Sequence, residues 1–135
     1  MTETASSDRR ADVEVRVPAD GAYVSVIRTT TAGLAARLDF TLDDVEDLRI
    51  AVGEACAVLL EQADDGADLE AAFWLEPGGL VVEIGAAAAT PSAPDEDSFA
   101  WQVLTTLADS VAADALPGRL RVRIGHGATP LDAGA

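Results

Sequence analysis

Few side chains of this sequence can do covalent or metal chemistry. Cysteine and histidine occur once each, as Cys56 and His126. One of each cannot build an internal disulfide, a cysteine/histidine zinc cluster or a histidine pair. All nine basic residues are arginines and lysine is absent, which removes a Walker A loop and Schiff-base chemistry. A Ser-His-Asp triad would have to use His126, which sits in a Gly-rich stretch near the C-terminus. What remains in quantity is carboxylate: 24 acidic residues give a formal charge of −15. Such a chain repels phosphate backbones, so direct nucleic-acid binding is not expected and a basic protein partner is.

The elements that position these groups follow from length and periodicity. The 135 residues suit one domain able to bury a core without staples. Neither a membrane span nor a signal-peptide core is visible, so a soluble cytoplasmic protein is expected. Residues 1–11 read as a disordered polar tail, 12–125 as the domain and 126–135 as a flexible tail. Val13 to Val17 alternates like a half-buried strand. Asp20 can cap a helix over 22–38. Thr41 and Asp44 suit the start of a second helix over 42–62. Leu42, Val45, Leu48, Val52, Ala55 and Leu59 form its stripe, while Ala51, Val58 and Leu60 make it apolar on more than one side. Such a helix is expected to be covered on both.

Leu69 to Leu75 and Leu80 to Ile84 flank Pro77-Gly-Gly79 as a hairpin. A long loop over 85–97 leads to a helix over 98–113, capped by Ser98, with Phe99, Val103, Leu104, Leu107 and Val111 inward. Phe99 and Trp101 read as core or pocket filling. Of Phe73 and Trp74, alternation lets only one face the helices; the other is a candidate for a dimer or partner surface. After Pro117-Gly118, Leu120 to Ile124 reads as a last strand. The order β-α-α-β-β-loop-α-β predicts an α/β two-layer sandwich, with a mixed, mostly antiparallel sheet and helices on one face.

Two strings in this order resemble the anti-sigma regulatory factors of the RsbW type, on the GHKL or Bergerat ATPase fold. They are Asp47-Leu-Arg-Ile-Ala-Val-Gly-Glu-Ala-Cys56 and Val103-Leu-Thr-Thr-Leu-Ala-Asp-Ser-Val111. The Ser98-Phe-Ala-Trp101 string is similar to the divergent actinobacterial branch. The resemblance covers roughly residues 12–125. It implies a protein that holds an alternative sigma factor away from RNA polymerase and is released by an anti-anti-sigma factor with a STAS domain. Kinase-competent members use Mg-ATP to phosphorylate a serine of that antagonist. It also implies a homodimer.

The nucleotide parts of that pattern are largely missing. The family places a Glu, here Glu54, and four residues on an Asn, on one helix face. The Glu can take the serine proton and the Asn oxygen ligates magnesium. The Asn position is Val58, which offers a metal no oxygen, and the family's later His is Gln62. The Asp-x-Gly-x-Gly loop that reads adenine is Ile84-Gly-Ala-Ala-Ala-Ala-Thr-Pro91, with no acid before Thr90. The Gly-rich phosphate turn is Ser98-Phe-Ala-Trp101, preceded by Asp95, Glu96 and Asp97, which repel phosphate.

The pocket reads as filled, so no cofactor is expected and no residue is assigned to one or to a metal. Glu54 has two readings, a retained general base or a partly buried helical carboxylate. Arg28 matches a family arginine that contacts sigma and antagonist; the family's acid four positions earlier is Val24 here. Arg28 is equally readable as a solvated arginine. Asp95, Glu96 and Asp97 read as a solvated loop or as a surface for a basic sigma region. The leading expectation is a non-catalytic or weakly catalytic anti-sigma factor. The alternative is an active ATP-dependent serine-protein kinase that binds Mg-ATP in an altered mode.

Overall fold

The computed structural model describes residues 9–128. Strand β1 (Val13–Pro18) leads through a 3-10 turn at Gly21–Tyr23 into α1 (Val24–Arg37) and α2 (Leu42–Gln62). Strands β2 (Asp68–Glu76) and β3 (Gly79–Ala87) form the hairpin, followed by α3 (Phe99–Leu107), β4 (Ser110–Leu116) and β5 (Arg119–Gly127). The strands make one sheet in the order β1-β2-β3-β5-β4, and every pairing is antiparallel.

The period of two along each strand decides which face is covered. Val13, Phe73, Val82, Ile124 and Val111 form one row across all five strands. Phe73, Val82 and Ile124 are fully buried in the cluster that also holds Ile27, Leu48, Leu59 and Leu104 of the helices. The alternate positions carry Glu14, Glu70, Glu83, Asp114, Arg119, Arg121 and Arg123 and make the open face. The fold is therefore the expected two-layer α/β sandwich, but its sheet is wholly antiparallel rather than mixed, because β4 and β5 also pair as a hairpin.

Helix α2 has the expected bounds. Thr41 caps it by accepting from Asp44 N at 3.1 Å, worth about 1 kcal/mol. Burying Leu48, Val52 and Leu59 contributes about 2 kcal/mol each, so packing fixes the helix and the cap only its start. It packs against α1, α3, β3 and β5, as its several apolar sides require. Leu42 departs from the expected stripe: at the first helical position it is 87 % exposed. Asp20 does cap the first turn, accepting from Ala22 N at 2.9 Å.

The late helix is shorter than its spacing suggested. It ends at Leu107, and residues 110–116 form β4 instead. Val111, expected inward on a helix, lies opposite Ile124 on the helix-facing side of the sheet. Pairing with β5 outweighs the helical preference of the alanines in this stretch. Phe99, expected inward, is 78 % exposed, whereas Trp101 packs against the core.

Both expected tails are partly structured. Strand β5 runs on through Gly127, placing His126 opposite Leu80. Arg9, assigned to the N-terminal tail, accepts through its carbonyl from Trp74 Nε1 at 2.7 Å. The rest of those tails, 1–8 and 129–135, lies outside the described residues. Phe73 faces the helices and Trp74 the open face, where Arg9 and the Arg123 guanidinium, 5.6 Å from the ring centre, cover it within the chain.

Two predictions follow from these contacts. Cys56 is fully buried, and burial pushes its thiol up to about 12, against the opposing pull of the Arg28 charge. A thiol that far from ionisation is inert. Iodoacetamide at neutral pH is expected to label Cys56 only after denaturation; rapid labelling of the native chain, read by intact mass, contradicts this packing.

Asp12 accepts from Leu75 N at 2.7 Å and from Arg9 at 3.0 Å. The bond from the backbone, then that from Arg9, hold its carboxyl below the ordinary range. A lowered folded-state value makes this contribution complete above the unfolded carboxylate range, near pH ~4, and lost as pH falls through the folded value. In a Trp101→Phe background, Trp74 fluorescence is expected to red-shift on acidification below that range. Asp12→Asn is expected to show the shift already at neutral pH.

Candidate functional site

The site suggested by sequence is organised along α2. Glu54 is half-buried and Val58, one turn on, is 6 % exposed within the core. An isopropyl group in that position cannot ligate magnesium. One further turn on, the Gln62 carboxamide donates to Ser92 O at 2.9 Å and accepts from Ser92 N at 2.8 Å. A carboxamide can do both at once, as a neighbouring peptide would. It straps the long loop to the end of α2.

The loop is held at further points. Asp64 Oδ1 accepts from Ala89 N at 2.8 Å. Asp64 N donates to Ala87 O, and Ala88 N to Gly118 O. Ala86 and Ala88 are buried. The segment that would have to carry an adenine-reading acid and flexible glycines is thus packed alanine on fixed backbone.

The start of α3 is no better suited to phosphate. Ser98 Oγ accepts from Trp101 N at 3.2 Å, so the chain itself occupies a first-turn donor that a phosphate would need. Asp95 turns back to accept from Asp97 N at 2.9 Å, and Asp95, Glu96 and Asp97 are exposed beside it. Val58 thus offers no metal ligand, the 84–90 segment carries no acid, and the first turn of α3 is capped from within the chain. No group of three or more His, Cys, Asp or Glu arranged to hold a metal exists among the described residues.

Arg28 takes a different place from a fully solvated arginine. It is half-buried and lies over Gly53 of α2, where a Cβ would sit 3.5 Å from its Cδ. Its Nε is buried without a hydrogen-bond partner. Val24, one turn earlier, is half-buried and packs against the core. The structure brings Arg28, Gly53 and Cys56 together at the α1–α2 junction. The acids of 95–97 belong to the approach to α3.

Two features escaped the sequence reading. Gln62 registers there as a lost histidine, and only the fold shows its hold on Ser92. His126 Nε2 lies 3.2 Å from Asp44 Oδ1, both side chains nearly buried, with Phe40 tilted against the imidazole at 5.9 Å. That pair ties the end of β5 to the first turn of α2. Asp44 offered a signal, since a first-turn acid within an apolar stripe needs a partner.

Two concavities lie elsewhere. One of about 430 Å³ sits on the open sheet face between Arg16, Glu70, Glu83 and Arg119. There the Arg119 guanidinium pairs with Glu70 at 2.8 Å and lies across Gly85, where any Cβ would run into it. The other, about 310 Å³, runs along α3 beside Phe99, Val103 and Leu107. Neither is lined by Glu54, Val58 or Gln62.

Comparison with known proteins bears on these observations. No family model matches the chain. Curated relatives named serine-protein kinase RsbW match over 79 residues, 57 % of this chain and 49 % of theirs. The protein of Bacillus thuringiensis strain Al Hakam is 35 % identical there and that of Bacillus cereus strain Q1 39 %. The chain thus spans about half the length of the curated relatives it matches. Among solved structures, the RsbU and RsbW domains of a Mycobacterium tuberculosis protein superpose with a TM-score of 0.65 at 14 % identity. The match covers 86 % of this chain and 31 % of that one. The mycobacterial sensor histidine kinase MprB superposes with a TM-score of 0.54 at 12 % identity, over 87 % of this chain and 100 % of that one. No helix among the described residues is long and apolar enough to cross a membrane. The chain is similar in sequence to the RsbW-type proteins over about half their length, and its α/β fold is the one seen in an RsbW domain and in a sensor histidine kinase.

Proposed function

We propose that this protein is an anti-sigma factor that sequesters an alternative sigma factor of the stress or development type. A STAS-domain anti-anti-sigma protein releases it by competition, and no nucleotide is needed. The observation that carries this reading is the α2 face on which buried Val58 replaces a metal ligand and Gln62 straps the loop down onto Ser92. The relatives named RsbW support the partner class. The charge of −15 supports a basic partner surface, since complementary charge speeds encounter.

The second reading, a serine-protein kinase acting on the antagonist, is favoured by one observation. Glu54 keeps its place on α2 and remains half-exposed, as a general base must. Calorimetry of the purified chain with Mg-ATP separates the two. No binding heat is expected, and a tagged pull-down from the native host is expected to retain a sigma factor through washes with and without Mg-ATP. Metal-dependent ATP binding, with serine phosphorylation of the antagonist that Glu54→Ala abolishes, establishes the kinase instead.

Within the proposed complex, Arg28 contacts the partner with the part of its side chain not covered by Gly53, next to Val24. Asp95, Glu96 and Asp97 steer association. Arg28→Ala is expected to weaken sigma binding about tenfold, the worth of ~1.4 kcal/mol, chiefly through faster dissociation. Neutralising the three acids to Asn, Gln and Asn is expected to slow association and flatten its salt dependence, leaving dissociation unchanged. Surface plasmon resonance at two ionic strengths distinguishes these. Equal, salt-independent effects of both changes contradict the assignment.

A further inference from the structure

Helix α3, Phe99-Ala-Trp-Gln-Val-Leu-Thr-Thr-Leu107, carries no charged side chain. One side of it serves the core. Leu104 is fully buried there, and Ala100 and Trp101 pack against the same cluster. The other flank is left over. Phe99, Gln102, Val103, Thr106 and Leu107 line its groove, and no described residue of another element joins them. Phe99, Val103 and Leu107 stand at i, i+4 and i+8, so they form one ridge about 12 Å long. Ser98 caps the first turn, which presents the exposed Phe99 ring from fixed backbone. A solvated helix flank ordinarily carries charge, as α2 does with exposed Asp43, Glu46 and Glu61. This one carries none.

We propose that this flank of α3 is the docking site for an amphipathic helix of a partner protein. That helix has aliphatic side chains on one stripe and arginine or lysine along its borders. The apolar ridge supplies half of the contact, since ridges of one helix pack into the grooves of another. An extended segment fits less well, because the peptide groups of α3 are bonded within the helix and offer no ladder to join.

The surroundings select the charge. No basic residue occurs between Arg49 and Arg119. Arg49, the one basic residue of α2, is paired with Glu46. Asp95, Glu96 and Asp97 stand exposed immediately before Phe99, and exposed Asp109 follows the other end of the ridge. An acidic helix would meet like charge at both ends, whereas a basic one meets opposite charge there. The site rests on α3 and these acids alone. It does not require the partner to be a sigma factor.

An NMR titration of the full 135-residue chain with a synthetic helix of leucine and lysine in that pattern tests it. The same helix with glutamate for lysine is the counter-probe. The lysine helix is expected to bind saturably and to shift the amides of residues 95–107, and the glutamate helix to leave them unmoved. Phe99→Ser is expected to raise the dissociation constant at least about tenfold. Its ring is exposed, so amides outside α3 should keep their positions in the free variant. Neutralising Asp95, Glu96 and Asp97 to Asn, Gln and Asn is expected to weaken binding and flatten its salt dependence. Leu42→Ser, which removes an exposed aliphatic group at the start of α2, is expected to leave affinity unaltered. The proposal is overturned if the lysine helix does not bind, binds no better than the glutamate helix, or shifts other elements instead. An effect of Leu42→Ser equal to that of Phe99→Ser also overturns it. So does self-association of the chain that Phe99→Ser abolishes, which gives the flank to a second copy.

Discussion

A single helix buried on several sides holds this structure together. α2 cannot turn about its axis without exposing Leu48, Val52, Cys56 or Leu59 to water, at ~2 kcal/mol for each large apolar group. The sheet fixes it from below and α1 and α3 from the sides. That rotational lock aims every group of functional interest. Gly53 meets Arg28, Glu54 stays half-exposed, Val58 points into the core and Gln62 reaches Ser92. At the other end Asp44 meets His126. A helix held by one stripe could shift to admit a ligand; one held on several sides has little freedom to do so.

What could be read from the sequence was what local rules determine. α2 has its expected ends because Thr41 supplies a cap and apolar periodicity persists to Gln62. The hairpin around Pro77-Gly-Gly79 declares itself through turn chemistry. The segment from Ser98 to Leu116 misleads, because Leu107 and Val111 stand at helical spacing and alanine favours a helix. Its strand exists only because β5 is there to pair with it. One signal was available. Pro117-Gly118 precedes a certain strand, and a turn between strands implies a strand before it. Leu42 and Phe99 show a second limit: at a helix's first turn, periodicity continues but the neighbours that would cover the residue need not.

The candidate site was half legible. Losses such as Asn to Val at position 58 need no structure to interpret, since no conformation gives an alkyl group a lone pair. Gains are harder. That Gln62 serves as a peptide surrogate, or that Arg28 settles over Gly53, depends on which backbone the fold brings alongside. The nearness of Cys56 to Arg28 was not readable, because the two lie 28 residues apart in sequence and meet only through helix packing.

Charge is distributed unevenly, and this constrains where a partner can bind. On the open sheet face Arg16, Arg119, Arg121 and Arg123 face Glu14, Asp68, Glu70, Glu76, Glu83 and Asp114. Several are locked in pairs: Arg119 with Glu70, Arg123 with Glu83, and Arg121 with both Glu83 and Asp114. With four arginines against six acids, that face carries a net charge of −2 of the chain's −15. Most of the acidic excess therefore lies elsewhere, including exposed Asp43, Glu46 and Glu61 of α2 and the Asp95–Asp97 run. Screening limits electrostatic steering to within about a Debye length of the surface, so the net charge of the whole chain matters less than these local groups. Under the proposed function, a basic partner is drawn to the helical layer, where Arg28 and Val24 also lie.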